Sequence, residues 1–172
     1  MTATTQLAGT ARTPMTPAVS VVVATYRRDE LLARCLLHLL DQDLDAPFEI
    51  VVVDDAQSDS TQGVIEAVLK ARPDSHVPIT LLPGRSNGPA TARNIGWRAA
   101  RGEVIAFTDD DAYAPEATWL ARGLGWFEDE EVAAVGGQVT VPADDPPTDF
   151  QRNVQALEDG EFLTCNAFYR RS

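Results

Sequence analysis

The sequence predicts an α/β fold: a mainly parallel sheet flanked by helices. Short β-branched runs recur about every thirty residues, and segments of helical period lie between them. The runs are continuously apolar, as strands buried on both faces of a parallel sheet require.

The first run is Val19-Ser20-Val21-Val22-Val23-Ala24, and the second is Phe48-Glu49-Ile50-Val51-Val52-Val53. Ile79-Thr80-Leu81-Leu82 is the third, and Val104-Ile105-Ala106-Phe107-Thr108 the fourth. Leu32, Cys35, Leu36, Leu39 and Leu40 fall on one helix face after the first run. Val64, Ile65, Val68 and Leu69 repeat that spacing after the second. Ser60 or Thr61 is placed to cap this second helix. A third helix is expected from Pro89 to Arg101, opened by the Gly88-Pro89 turn. Pro115 suits the first turn of a fourth, whose apolar face is Trp119, Leu120, Gly123, Leu124 and Phe127. Beyond Glu131 the pattern loosens. A strand within Val132–Val141 is expected to break at Gly136-Gly137, followed by a loop from Pro142 to Thr148. A short helix over Asp149–Leu157 and a last strand over Phe162–Tyr169 complete the chain.

The 172 residues carry a net charge of −12, and 44% of them are hydrophobic. That length fits one domain able to bury a core without disulfides, and two cysteines are too few for a secreted disulfide scaffold. The charge is uneven: residues 1–102 hold −1 and residues 103–172 hold −11. Such acidity argues against nucleic acid or an anionic membrane as a partner, since both repel it. No segment reaches the roughly 18 consecutive apolar residues of a transmembrane helix. Residues 1–18 lack an apolar h-region and read as a flexible leader, not a secretory signal. The expected location is therefore cytoplasmic, including the inner face of the membrane.

In open α/β sheets, ligands bind at the carboxyl ends of the strands. Here those ends carry Thr25-Tyr26-Arg27, Asp54-Asp55 and Asp109-Asp110-Asp111. Five carboxylates on one edge repel one another, and a divalent cation such as Mg²⁺ or Mn²⁺ relieves that repulsion. Either acidic cluster alone reads as a solvated turn; two at equivalent strand ends favour a site. There is no Gly-x-x-x-x-Gly-Lys loop and no Gly-x-Gly-x-x-Gly fingerprint, so phosphates would be held by metal and cations. Arg93 is either a bidentate partner of a diphosphate or an Asp, or a surface arginine. Tyr26 either stacks on a base or packs at the sheet edge. Val51-Val52-Val53-Asp54-Asp55 also fits a phosphoacceptor domain, but the lysine such a domain needs is missing: Lys70 lies inside the second helix.

Four segments in order resemble family 2 glycosyltransferases, which have the GT-A, Rossmann-like fold. They are Ser20–Arg28, Val53–Thr61 (with Ala56 and Gln57 departing from the commonest form), Asn87–Gly96 and Gly102–Asp111, the last with Asp-x-Asp at Asp109 and Asp111. Phe162–Arg171 is similar to the family's segment beneath sugar and acceptor. The resemblance implies a GT-A domain over 19–172, with a donor-binding part at 19–125 and a partial acceptor side at 126–172.

It further implies a metal-dependent, inverting transfer of a sugar from a nucleoside-diphosphate donor, UDP-type favoured. The acceptor would be a carbohydrate or lipid-linked hydroxyl. Thr25, Tyr26, Asp54, Asp55, Arg93, Asp109 and Asp110 would bind the donor, and Asp109 and Asp111 the Mg²⁺ or Mn²⁺. Thr164 and Asn166 would lie on the acceptor side. In similar enzymes the general base is an acid beyond the Arg-Arg segment, so it is expected beyond Ser172. The alternative is a non-catalytic nucleotide-sugar-binding remnant that lacks the base. Glu158-Asp159 precedes the Thr-Cys-Asn segment, the wrong order for that base.

Overall fold

The continuous apolar runs become the centre of a seven-stranded sheet. The computed structural model describes residues 5–7, 16–142, 144, 146 and 148–171. Its strands are β1 (Thr5–Leu7), β2 (Val19–Thr25), β3 (Phe48–Asp54), β4 (Ile79–Pro83), β5 (Val104–Asp109), β6 (Ala134–Gly136) and β7 (Ala167–Arg170). Its helices are α1 (Asp29–Leu40), α2 (Asp59–Ala71), α3 (Pro89–Ala99), α4 (Trp119–Gly125) and α5 (Asp149–Gln155), with 3₁₀ turns at Trp126–Glu128 and Ala156–Asp159.

Spatial order is β1-β4-β3-β2-β5-β7-β6. The four strands β4, β3, β2 and β5 are parallel; β1 and β7 run antiparallel to them at the flanks, and β6 pairs antiparallel with β7. Side chains alternate across the sheet. Val19, Val21, Val23, Ile50 and Val52 pack with α1, α2 and α4 through Leu32, Leu36, Leu39, Ile65, Val68 and Leu120. Val22, Val51, Val53 and Ile105 face the other way and meet Ala92 of α3. Gly96 lets α3 lie against the strands, because a Cβ there would overlap Val22 Cγ1.

A buried carboxylate ties the amino ends of the central strands together. Glu49 Oε1 accepts from Ser20 Oγ at 2.7 Å and from the Arg101 backbone N–H at 2.8 Å. Its Oε2 accepts from Arg101 Nε at 2.9 Å and Nη2 at 2.6 Å. The Ser20 hydroxyl in turn accepts from the Gly102 N–H at 2.8 Å. One acid thus fixes β2, β3 and the turn into β5 in register.

Several sequence expectations are corrected. Residues 5–7 of the expected leader form a strand on β4, with Gln6 opposite Thr80; residues 1–4 and 8–15 lie outside the described residues. The fourth helix starts at Trp119, not at Pro115. Its start is set from a distance: Gln42 Oε1 accepts from the Leu120 N–H at 3.0 Å, and the Asp43 N–H donates to the Ala117 carbonyl at 2.8 Å. The second helix takes Ser58 as its N-cap residue, not Ser60 or Thr61. The third ends at Ala99, before Arg101. The last strand begins at Ala167, since Phe162 has φ 52° and the Asn166 N–H turns back to the Leu163 carbonyl. The strand expected within 132–141 shortens to Ala134–Gly136, because it pairs only with the short β7.

Candidate active site

The sheet reverses direction of growth at β2, with β3 on one side and β5 on the other. A crevice opens at such a switch point, beyond the carboxyl ends of the strands. Thr25 is opposite Asp54, and Ala24 is opposite Asp109, so the three strand ends lie side by side.

Asp54 is committed to its own turn. Its Oδ1 accepts from the Ala56 N–H at 3.0 Å, and its Oδ2 from the Ser58 N–H at 2.6 Å and Thr61 Oγ1 at 2.8 Å. This carboxylate does the work at the start of α2 that a capping side chain usually does. Thr61 therefore reaches back to Asp54 instead of capping.

Asp55 holds the loop between β4 and α3. Its Oδ1 accepts from the Arg85 N–H at 3.0 Å and its Oδ2 from the Gly88 N–H at 2.8 Å, while its carbonyl accepts from Ser86. Gly84 is needed here, since a Cβ would come within 2.6 Å of Asp55 Oδ1. Burial pushes the Asp55 pKa up, but the N–H groups of Arg85, Gly88, Asn87 and Ser86 outweigh it, and the net shift is downward. A lowered carboxylate pKa contributes stability that is present above the unfolded value of about 3.9 and lost as pH falls through the folded value. Asp55→Asn is thus expected to be less stable than wild type in urea at pH 7. The gap should narrow below about pH 4; a gap independent of pH would contradict the ionic role.

The Asp triplet is bound by three different elements. Asp109, at the end of β5, accepts from Arg93 Nη2 of α3. Asp110 is 4% exposed; it accepts from Thr25 Oγ1 at 2.7 Å and from Arg28 Nη1 at 3.1 Å. Asp111 is half-exposed and accepts from the same Arg28 nitrogen at 2.8 Å. Burial raises the Asp110 pKa, with the Thr25 and Arg28 bonds opposing. Beneath the triplet, the Cys35 thiol donates to the Asp109 carbonyl at 3.6 Å. Burial first, then the three carboxylates, pushes that thiol up to about 12, so it stays neutral. The loop after the triplet is pinned by Tyr113, which stacks on His38 at 4.7 Å and lies under Arg34 at 4.7 Å.

Arg93 is therefore an Asp partner in this state, and its buried Nε has no acceptor among the described residues. Tyr26 is half-exposed at the mouth, with Arg27 5.5 Å from its ring centre, so it does not pack into the sheet edge. Cys165 lies alongside: burial raises its pKa first, then Asp109 and Asp111, with Arg93 opposing. Thr164 beside it is exposed. Asn166 is engaged at both ends, accepting from Trp119 Nε1 at 2.9 Å and donating to the Gln138 carbonyl at 2.8 Å. Arg28 has no role on sequence grounds, yet it bridges two of the three acids. The available signal was a cation following a strand end, in a chain whose acids crowd the neighbouring strand end.

Among the described residues, no three or more His, Cys, Asp or Glu side chains gather into a metal site. Mg²⁺ does not need one beside a phosphate ligand: one or two carboxylates plus phosphate oxygens suffice. Asp111, half-exposed, and Asp109, partly exposed at the adjacent strand end, supply hard oxygen donors of that kind. The residues fit a divalent cation brought in with a phosphate.

A mostly parallel sheet with donors and acids at its switch point defines an α/β domain with a polar crevice at the carboxyl ends of its strands. The chain belongs to glycosyl transferase family 2, whose pattern it matches over residues 20–170. It is 34% identical to the succinoglycan biosynthesis protein ExoO of Rhizobium meliloti over 158 residues, covering 88% of this chain and 42% of that protein. It is 35% identical over 100 residues to the poly(ribitol-phosphate) β-N-acetylglucosaminyltransferase TarS of Staphylococcus aureus, covering 58% and 17%. The fold matches GT-A glycosyltransferase structures. One is the mannosyltransferase PcManGT of Pyrobaculum calidifontis in complex with GDP-Man and Mn²⁺, at TM-score 0.65 and 29% identity, covering 91% of this chain and 45% of that one. Another is S. aureus TarS 1–349 in complex with UDP-GlcNAc, at TM-score 0.57 and 26% identity, covering 76% and 36%. The chain spans less than half the length of each of these proteins. Among the described residues, no helix is long and apolar enough to cross a membrane.

Proposed function

We propose that the chain is the donor-binding part of a metal-dependent, inverting glycosyltransferase acting on a nucleoside-diphosphate sugar. The observation that carries this reading is the convergence of Thr25, Arg28, Arg93 and the Asp109–Asp111 triplet on one crevice. Relatives bound to UDP-GlcNAc and to GDP-Man support the donor class.

Tyr26 offers an exposed ring for the base, and the Asp55-bound loop shapes the wall beside it. Asp54 acts at one remove, by holding the turn that places Asp55. Arg93 and Asp109 face the ribose and diphosphate, and the Arg93 Nε, without an acceptor among the described residues, favours a shift of this pair when a ligand arrives. Asp109 and Asp111 would hold Mg²⁺ or Mn²⁺, which supplies charge neutralisation on the departing diphosphate. Thr164 faces the acceptor side, while Asn166 keeps that segment in place through Trp119 and Gln138. Inversion requires a base on the opposite face of the sugar from the diphosphate.

Calorimetry with UDP, GDP, CDP and ADP in Mn²⁺ tests the reading, with UDP expected to bind most tightly. No binding to any of the four would overturn it. Nucleotide binding without transfer or donor hydrolysis would favour a non-catalytic module.

A further inference from the structure

The Arg28 contact differs from the others in the crevice. One nitrogen, Nη1, serves both Asp110 and Asp111, and among the described residues no other hydrogen bond is made by this guanidinium. Its two partners are not equally dependent on it. Asp110 is buried and keeps a second donor in Thr25, whereas Asp111 is half-exposed and has Arg28 alone as its side-chain donor among the described residues. Arg28 is itself half-exposed, and neighbouring acids raise its pKa, Asp110 most of all. Exposed pairs of this kind are weak, so the Asp111 contact is easily given up. The Asp110 contact keeps the side chain in the crevice when that happens.

Resting on the donor-site reading above, we propose that Arg28 is an exchange cation. It holds Asp111 when no divalent cation is present, yields that carboxylate when one enters, and turns its free Nε and Nη2 to the donor's phosphate. A guanidinium offers five N–H donors in a planar fork, so bonding a phosphate through Nε and Nη2 is compatible with keeping Nη1 on Asp110. The exchange leaves no carboxylate uncompensated at either stage. It makes cation and nucleotide help each other: cation binding frees Arg28 for the phosphate, and the phosphate gives Arg28 a reason to leave Asp111. Arg28 is a positioning residue in this scheme, acting through Asp111 and the donor.

The test reads binding without turnover. Mn²⁺ alone, followed by its paramagnetic resonance signal, should bind Arg28→Gln about twofold to fivefold more tightly than wild type, because its competitor is gone. UDP in saturating Mn²⁺ should bind the same variant about tenfold more weakly. Arg28→Lys keeps the charge but lacks the fork, so it should retain wild-type Mn²⁺ affinity and still lose UDP affinity. Arg27→Gln removes the same charge one residue away, from a side chain with no bond to the triplet, and should change Mn²⁺ affinity less than Arg28→Gln. Unchanged or weaker Mn²⁺ binding by Arg28→Gln overturns the exchange, as does an equal gain in Arg27→Gln. Wild type that binds Mn²⁺ but no nucleotide overturns the donor-site reading first, and the exchange with it. Circular dichroism and urea unfolding of each variant identify loss of folding, and the Arg28→Lys arm then decides alone.

Discussion

Asp111→Asn is expected to weaken nucleoside-diphosphate binding in Mn²⁺ by about 100-fold, or about 2.8 kcal/mol, without weakening binding in EDTA. The separation follows from where Asp111 sits. Its side chain is half-exposed, and its one side-chain partner among the described residues is the equally exposed Arg28. Removing it should shift folding stability by no more than about 0.5 kcal/mol. Asparagine keeps the shape but loses the charge and one of the two hard oxygens that a divalent cation selects. The loss should therefore appear only when the cation takes part. Paired titrations with and without Mn²⁺ read this directly. An equal loss in both would remove Asp111 from the cation's coordination and make it a direct nucleotide contact.

Arg101→Met is expected to have the largest effect on stability, at the other end of the same strands. Glu49 is 2% exposed, and two of its four bonds come from the Arg101 side chain. Without them, Oε2 is left buried and charged, while Oε1 keeps Ser20 and a backbone N–H. Breaking a buried pair from one side costs about 3–5 kcal/mol, and Arg101 is half-exposed, so about 2–3 kcal/mol is expected here. Adding Glu49→Leu should recover most of that loss, because the stranded charge goes with it. Urea unfolding at unchanged m-value measures both. A loss below about 0.5 kcal/mol for Arg101→Met would class the pair with ordinary surface contacts.

The central strands and the face of α1 were legible because burial dictates residue type there. Val21, Val22 and Val23 are all fully buried, and no alternation is needed where both faces are covered. The acids at the ends of β3 and β5 were legible as neighbours on one sheet edge because two clusters occupied equivalent places in the repeat. What escaped was fixed by distant partners. Nothing near Trp119 in sequence announces that Gln42 will start α4. Thr5–Leu7 has no pattern of its own and is a strand only because β4 offers an edge. Asn166 resembles an acceptor-side residue, and its bonds to Trp119 and Gln138 come from segments 47 and 28 residues away. Arg28 escaped for a local reason. Arg27 adopts φ 54°, a left-handed conformation that turns the chain between β2 and α1, and no feature of Thr25-Tyr26-Arg27-Arg28 specifies which arginine faces the acids.

The stack of Tyr113 on His38 and Arg34 has a mechanical consequence. It joins the segment after Asp111 to α1 at Arg34 and His38, and Arg28 is the N-cap residue of the same helix. Backbone, stack and ion pair form a closed ring, so the stack opposes separation of Arg28 and Asp111 by hinging of the peptide that carries them. Rotation of these two half-exposed side chains parts them in picoseconds to nanoseconds, without the nanoseconds to microseconds that loop opening takes.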